Sequence, residues 1–151
     1  MTRITRVELT SFRFEVEGLS LPRHGAAGVG NLIALKGGRM PAVRWAVRIF
    51  CEDGSKGAYV THWVGTAASF AQAQMLAPHL IGRDPDTREQ IWDDLKREVR
   101  AYDHMGHGPI DIALWDLAGR RAGMSVARML GGWRTQLPTY ASTYHGQDEP
   151  G

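Results

Sequence analysis

Alternating apolar and polar residues predict strands in the first part of the chain. The alternation from Ile4 to Val16 changes phase midway, which indicates a strand with a bulge or bend. The strictest alternation runs from Val43 to Cys51. The hairpin-turn pair Asp53-Gly54 follows, and Gly57 to Val64 reads as the returning strand. The pattern therefore predicts a three-stranded antiparallel meander.

The rest of the chain has the apolar spacing of helices. A first helix is expected from Thr66 until Pro78 interrupts it, and Asp84 with Glu89 is typical of the N-cap and capping box of a second. A third helix carries one apolar stripe at helical period, and its residues are expected to be buried: Ile110, Ala113, Leu114, Leu117 and Ala118. Strands followed by helices is the order of an α+β fold.

A glycine-rich stretch with few apolar residues separates the first two predicted strands, from Gly18 to Pro41. Loops of this length inside compact domains are usually functional or disordered, so we expect a long mobile loop here.

Composition narrows the classes of partner. The 151 residues are enough for one domain with a core, and the net charge of +2 comes from scattered arginines rather than a basic patch. This balance predicts no nucleic-acid partner. Cys51 is the only cysteine, which excludes an internal disulfide. No apolar stretch reaches the length of a membrane span and the N-terminus has no signal-peptide pattern, so a cytoplasmic protein without a membrane partner is the default expectation.

The titratable residues form no recognisable catalytic or metal motif by themselves. His104 and His107 are close in sequence, but no Cys, Asp or Glu completes a metal-ligand pattern around them. Asp111 and Asp116 are five apart on one predicted helix and therefore lie on different faces, where capping or ion pairing is expected rather than acid–base catalysis.

The run from Gly106 to Gly123, followed by Ser125 to Gly132, resembles the first signature of the mandelate racemase/muconate lactonizing enzyme family of the enolase superfamily. The resemblance implies an N-terminal α+β capping domain followed by a modified (β/α) barrel. The predicted meander and helical bundle are similar to that capping domain, so the resemblance covers nearly the whole chain. It implies a capping domain over residues 1–134, and the first barrel strand with a truncated loop over residues 135–151.

The resemblance also implies a chemistry for the whole enzyme. Family members abstract the proton next to a substrate carboxylate, and bound Mg²⁺ stabilises the enolate that forms. The family's metal ligands and bases stand on later barrel strands, so no catalytic or metal-binding residue is assigned to this chain. The implied enzyme is a homo-oligomeric dehydratase of a hydroxy or sugar acid, with a carboxylate-bearing small molecule as substrate. A racemase or cycloisomerase of the same superfamily, or a non-catalytic stand-alone binding module, are the alternatives.

Two capping-domain loops in the family close over the mouth of the barrel and help to select the substrate. The glycine-rich stretch resembles the first loop, and the end of the third strand resembles the second. Many relatives have a Gly-x-Gly-Glu-like sequence near the second, where this chain has Thr61-His62-Trp63. The implied substrate-binding residues, including two at the end of the first barrel strand, are Arg23, His24, His62, Trp63, Ser142 and Tyr144. For His62 and Trp63, ordinary packing at a strand end is the alternative.

Overall fold

A computed structural model describes residues 1–20, 33–62, 66–102, 104–140 and 145–146 of the chain. The chain divides into two compact units. One contains Met1–Ser11 and Arg44–Thr135, and the other contains Phe12–Val43 and Gln136–Gly151.

The sheet has the predicted order of strands. Its elements are β1 (Ile4–Ser20), β2 (Ile33–Cys51), β3 (Lys56–Val60) and β4 (His145–Gly146). The first three lie in the order β1-β2-β3, and β2 pairs with β3 antiparallel, with Ala46 opposite Val60. The two-residue β4 pairs in parallel with the start of β2. The predicted three-stranded antiparallel meander is confirmed, although β3 ends at Val60 and not at Val64.

The predicted loop from Gly18 to Pro41 is wrong at both ends. β1 continues to Ser20 and β2 already begins at Ile33, so both flanks of the glycine-rich stretch are strand. Gly18 and Gly37 have positive φ angles of 78° and 76°, which glycine adopts without strain inside these strands. Within the same unit, Arg39 lies 3.6 Å from Glu15 and 3.4 Å from Glu17, so cross-strand charge pairs accompany the longer strands. Residues 21–32 lie outside the described part of the chain.

In the part of the chain that the structure describes, four helices follow the strands: α1 (Thr66–Leu76), α2 (Arg88–Glu98), α3 (His107–Ala122) and α4 (Val126–Met129), with a 3-10 turn at Ala77–Leu80 after α1. The expected capping box of α2 is wrong, because Thr87 is the N-cap and makes no side-chain capping bond. Asp84 instead closes the turn before the helix: its carboxylate accepts a hydrogen bond from the Asp86 N–H at 3.0 Å. The Asp-Pro pair therefore makes its own turn, and α2 begins after it.

The core of the first unit lies between β2, β3 and the helices. All five residues of the predicted α3 stripe are buried. Four of them, Ile110, Ala113, Leu114 and Leu117, pack in one apolar cluster with Trp45, Val47 and Ile49 of β2. The closest approach is at Gly57 of β3, where an added Cβ would lie 2.2 Å from the Ala113 carbonyl oxygen. Glycine is thus required where β3 meets α3.

Gly123 ends α3, and Asp116 ties its outer face to β3. Gly123 terminates the helix with a left-handed φ of 61°, as its sequence position indicates. Asp116 accepts a hydrogen bond from the Ala58 N–H of β3 at 2.8 Å. The same carboxylate pairs with Arg120, four residues further along the helix, at 2.8 Å, so the ion pairing expected of Asp116 is present.

The segment after α4 exposes large apolar side chains: Leu130 is 67% exposed, Trp133 83%, Leu137 66% and Tyr140 89%. Residues 136–140, the first part of the predicted barrel strand, form no strand, and residues 141–144 lie outside the described part. A parallel barrel strand is held by its two neighbours. Because only part of this segment is described, the domain boundary between residues 134 and 135 remains a prediction. Among the described residues, no helix is both long and apolar enough to cross a membrane.

Candidate functional site

A pocket of about 240 Å³ opens at the end of β3. Its wall comes from three parts of the same unit: the end of β3 and the two residues after it, α1, and the first turn of α3 with the residue before Gly106. The lining residues are Tyr59, Thr61, His62, Ser69, Met105, Gly108, Pro109 and Ile112. Most of this wall is apolar, and His62 is its one ionisable imidazole among the described residues.

The main chain at the mouth of the pocket is held by Thr61. Its N–H donates to the Trp45 carbonyl at 2.9 Å, and its hydroxyl donates to the same carbonyl at 3.0 Å while accepting from the Trp45 N–H at 3.2 Å. The indole N–H of Trp45 donates to the Ser69 hydroxyl at 2.9 Å, which ties β2 to α1. Thr61 and Ser69 are buried, so these bonds act in a dry environment and position the next residue, His62.

His62 is exposed at this mouth. An imidazole can donate and accept hydrogen bonds and, when protonated, carries a positive charge. Above an otherwise apolar wall, it can attract an anionic or hydroxylated ligand. Among the described residues, no carboxylate lines this pocket, and the Thr61 and Ser69 hydroxyls are hydrogen-bonded to Trp45, so the arrangement supports binding.

The other five implied site residues lie outside the described part of the chain. They are Arg23, His24, Trp63, Ser142 and Tyr144. The structure therefore places His62 alone of the six, and the roles of all six remain predictions.

The pocket depends on a close contact between Gly106, just before α3, and helix α1, which the sequence does not reveal. A Cβ at Gly106 would lie 2.5 Å from the Gln72 Cβ and 2.6 Å from the Ala73 nitrogen, so α1 and the start of α3 touch through this residue. The Gly106 N–H also donates to the Gln72 side chain at 2.9 Å. Only the glycine itself hinted at a close approach, and its partner helix was not evident from the spacing.

The histidine pair near this turn has one exposed ring, that of His104, and one buried ring, that of His107. The rings of His104 and His107 are 6.4 Å apart between centroids, and His107 is buried against Trp92 at 5.3 Å. Burial lowers the pKa of His107 below its ordinary value, and the neighbouring His104 and Lys96 lower it further. Among the described residues, no group of three or more His, Cys, Asp or Glu side chains could hold a metal ion. These residues therefore do not fit the Mg²⁺ that the family resemblance implies for the whole enzyme.

The two aspartates of α3 are in separate environments. Burial raises the pKa of Asp111, and the nearby Glu89 raises it further, while Arg88 opposes both. Asp116 is bound to the Ala58 main chain and to Arg120. The expectation that the two carboxylates do not act as a pair is consistent with these different partners.

With this geometry in place, comparison with known proteins decides the family. The family model described as "Mandelate racemase / muconate lactonizing enzyme, N-terminal domain" matches residues 33–131. The chain belongs to the mandelate racemase/muconate lactonizing enzyme family. Its fold is the enolase-type N-terminal capping domain.

The names of curated relatives describe enzymes that act on sugar acids or their lactones. D-galactarolactone cycloisomerase from Agrobacterium fabrum is 37% identical over 106 residues, which is 64% of this chain and 27% of that protein. L-talarate/galactarate dehydratase from Salmonella typhimurium is 30% identical over 125 residues, which is 76% of this chain and 31% of that protein. This chain thus spans about a third or less of the length of these relatives.

Solved structures match over most of the chain. L-talarate dehydratase from a Polaromonas species, complexed with Mg and L-glucarate, has a TM-score of 0.65 and 28% identity, covering 89% of this chain and 36% of that one. The Salmonella typhimurium dehydratase with Mg and L-lyxarohydroxamate has a TM-score of 0.68 and 25% identity, covering 88% and 34%. The members of the family that resemble this capping domain therefore include magnesium-binding enzymes.

Proposed function

We propose that this chain is the capping part of a sugar-acid dehydratase. Such an enzyme removes the proton next to the substrate carboxylate, and the substrate then loses water. The observation that carries the proposal is the position of His62, at the mouth of a pocket built from the capping fold itself. The dehydratases among the relatives and matching structures support the reaction class.

In this proposal the chain binds substrate and does not perform the proton transfer. The described residues offer no ligand set for a metal, so catalytic and metal-binding groups are assigned to the rest of the enzyme. His62 would contact the end of the substrate remote from the reacting carbon, where a hydroxyl or second carboxylate is the expected partner. The apolar wall behind it would exclude water and strengthen that contact.

Cycloisomerisation is the second candidate reaction. The Agrobacterium fabrum relative, a cycloisomerase, is 37% identical to this chain, against 30% for the Salmonella dehydratase. Both reactions start from an acid sugar or its lactone, so a capping domain of the same design can serve either. Racemisation and a stand-alone binding role have no comparable support among these relatives.

The test uses the longest polypeptide that carries this chain, assayed with Mg²⁺ against galactarate, L-talarate, D-galactonate and D-galactarolactone. A 2-keto-3-deoxy acid formed from galactarate, L-talarate or D-galactonate supports dehydration, whereas turnover of the lactone alone supports the cycloisomerase. Absence of turnover on every substrate, together with failure to bind any of them, would overturn the proposal and favour the stand-alone module.

The role of His62 is tested in the same assay by His62→Gln. Loss of one hydrogen bond to a charged group is worth about 1.5 kcal/mol, so KM should rise about tenfold with a smaller change in kcat. The matched control is His79→Gln, because His79 is also exposed but lies on the 3-10 turn, outside this pocket. Equal kinetics for both variants would assign His62 to ordinary packing at the strand end.

A further inference from the structure

His107 is the first residue of α3 and is a buried histidine that the proposed binding role does not use. Its side chain is only 5% exposed. The ring is hydrogen-bonded to the Trp92 main chain, while Nε2 is buried and has no hydrogen-bond partner in the described part of the chain. The bond to Trp92 is therefore made by Nδ1, and Nε2 of the neutral ring needs no donor hydrogen.

Protonation would place a second N–H and a positive charge at this dry position. Nε2 has no hydrogen-bond partner among the described residues, and an unpaired buried charge is costly. A protonated His107 is thus expected to leave its site.

Among the described residues, the charged and titratable groups around the ring do not offset that charge. From α2, the Lys96 ammonium lies 4.4 Å from the centre of the Trp92 ring, against which His107 packs, and Asp93 pairs with Lys96 at 3.6 Å. From the segment before α3, His104 is a second imidazole 6.4 Å away. α1 carries no charged residue. On α3 itself, Asp111 is one turn further along, with its own carboxylate next to Glu89 and Arg88.

The same turn of α3 forms one wall of the His62 pocket. Gly108 and Pro109, the two residues after His107, line the pocket together with Ile112. On the other side of His107, Gly106 is in close contact with α1 and cannot move inward. Displacement of the His107 ring would therefore be transmitted along α3 to the pocket wall.

We propose that His107 is a pH-sensitive latch: its neutral ring holds the first turn of α3 in place, and its protonation releases that turn and reshapes the His62 pocket. Its significance for substrate binding rests on the function proposed above. The coupling between the His107 ring and the pocket wall is independent of that function, and it is tested without any substrate.

The experiment is a nuclear magnetic resonance titration of the full chain between pH 8 and pH 5, following the His107 ring, the Gly108 amide and the Ile112 methyl groups. We expect the last two signals to move with the same midpoint as the ring. The Gly54 amide, in the turn between β2 and β3, serves as the remote reference and should not share that midpoint.

Two variants separate the latch from general effects of acid. His107→Gln should abolish the shared transition at Gly108 and Ile112, while His79→Gln should leave it intact. If Gly108 and Ile112 stay still as the His107 ring titrates, or if their transition persists in His107→Gln, the proposal is wrong. Should His107→Gln fail to fold, the wild-type titration alone decides between these results.

Discussion

Replacing Gly57 by alanine tests the packing of β3 on α3 most directly. The added Cβ would lie 2.2 Å from the Ala113 carbonyl oxygen, and 2.6 Å from both the Leu117 Cβ and its main-chain nitrogen. All three contacts involve atoms that a change of side-chain rotamer cannot move, so the strand and helix must separate by about 1 Å to reach ordinary contact distances. A gap of that size forfeits roughly a quarter to a half of the dispersion energy across the interface.

The expected loss of stability is therefore at the upper end of the overpacking range, about 3 kcal/mol. For a domain of this size, that corresponds to a fall in Tm of roughly 6–12 °C. Urea unfolding followed by circular dichroism measures it. Gly108→Ala is the matched control, because an added Cβ there meets nothing within 4 Å and the residue lies in α3. A loss below 1 kcal/mol in Gly57→Ala, or an equal loss in both variants, would refute the reasoning.

Three further predictions concern the same core and its charges. Leu114 is 1% exposed. Leu114→Ala should therefore lower the free energy of unfolding by about 2–5 kcal/mol in urea denaturation. Asp116→Ala removes the acceptor of the Ala58 N–H and should cost about 1.5 kcal/mol, whereas Arg120→Ala, which removes only an exposed ion pair, should cost about 0.3–0.5 kcal/mol. Because the pKa of His107 is lowered from 6.5, the unfolded chain takes up a proton that the folded chain resists. The stability should therefore be complete above pH 6.5 and fall as the pH decreases below it, and this slope should be absent in His107→Gln.

The sequence was sufficient for the sheet and for α3 because each has a strong periodic signal. The alternation through β2 places Trp45, Val47 and Ile49 on one face, and all three are buried. The stripe on α3 was predicted residue by residue for the same reason. A high glycine content is typical of a loop, which is why the prediction from Gly18 to Pro41 is wrong at its ends: Gly18 and Gly37 adopt positive φ inside long paired strands. Tertiary pairing there overrides local propensity.

The site was less accessible to sequence reasoning. His62 was singled out from a family resemblance, but its pocket depends on contacts between residues far apart in sequence. Gly106 reaches α1 through Gln72, 34 residues earlier, and Thr61 is bound to Trp45, 16 residues earlier. Nor did the spacing of His104 and His107 reveal that the second ring is buried while the first is exposed. Such contacts are made only when the chain is folded, so they produce no periodic pattern in the sequence.

The carboxylate of Asp116 bears on the tendency of the chain to aggregate. Among the described residues, β3 has β2 as its one strand partner, so its other side is a free edge of the sheet. An unoccupied edge N–H invites a strand from another molecule and can begin intermolecular β-sheet growth. At Ala58 that donor is already taken by a charged group carried on α3. A helix that packs the core thus also guards the sheet against aggregation at its exposed border.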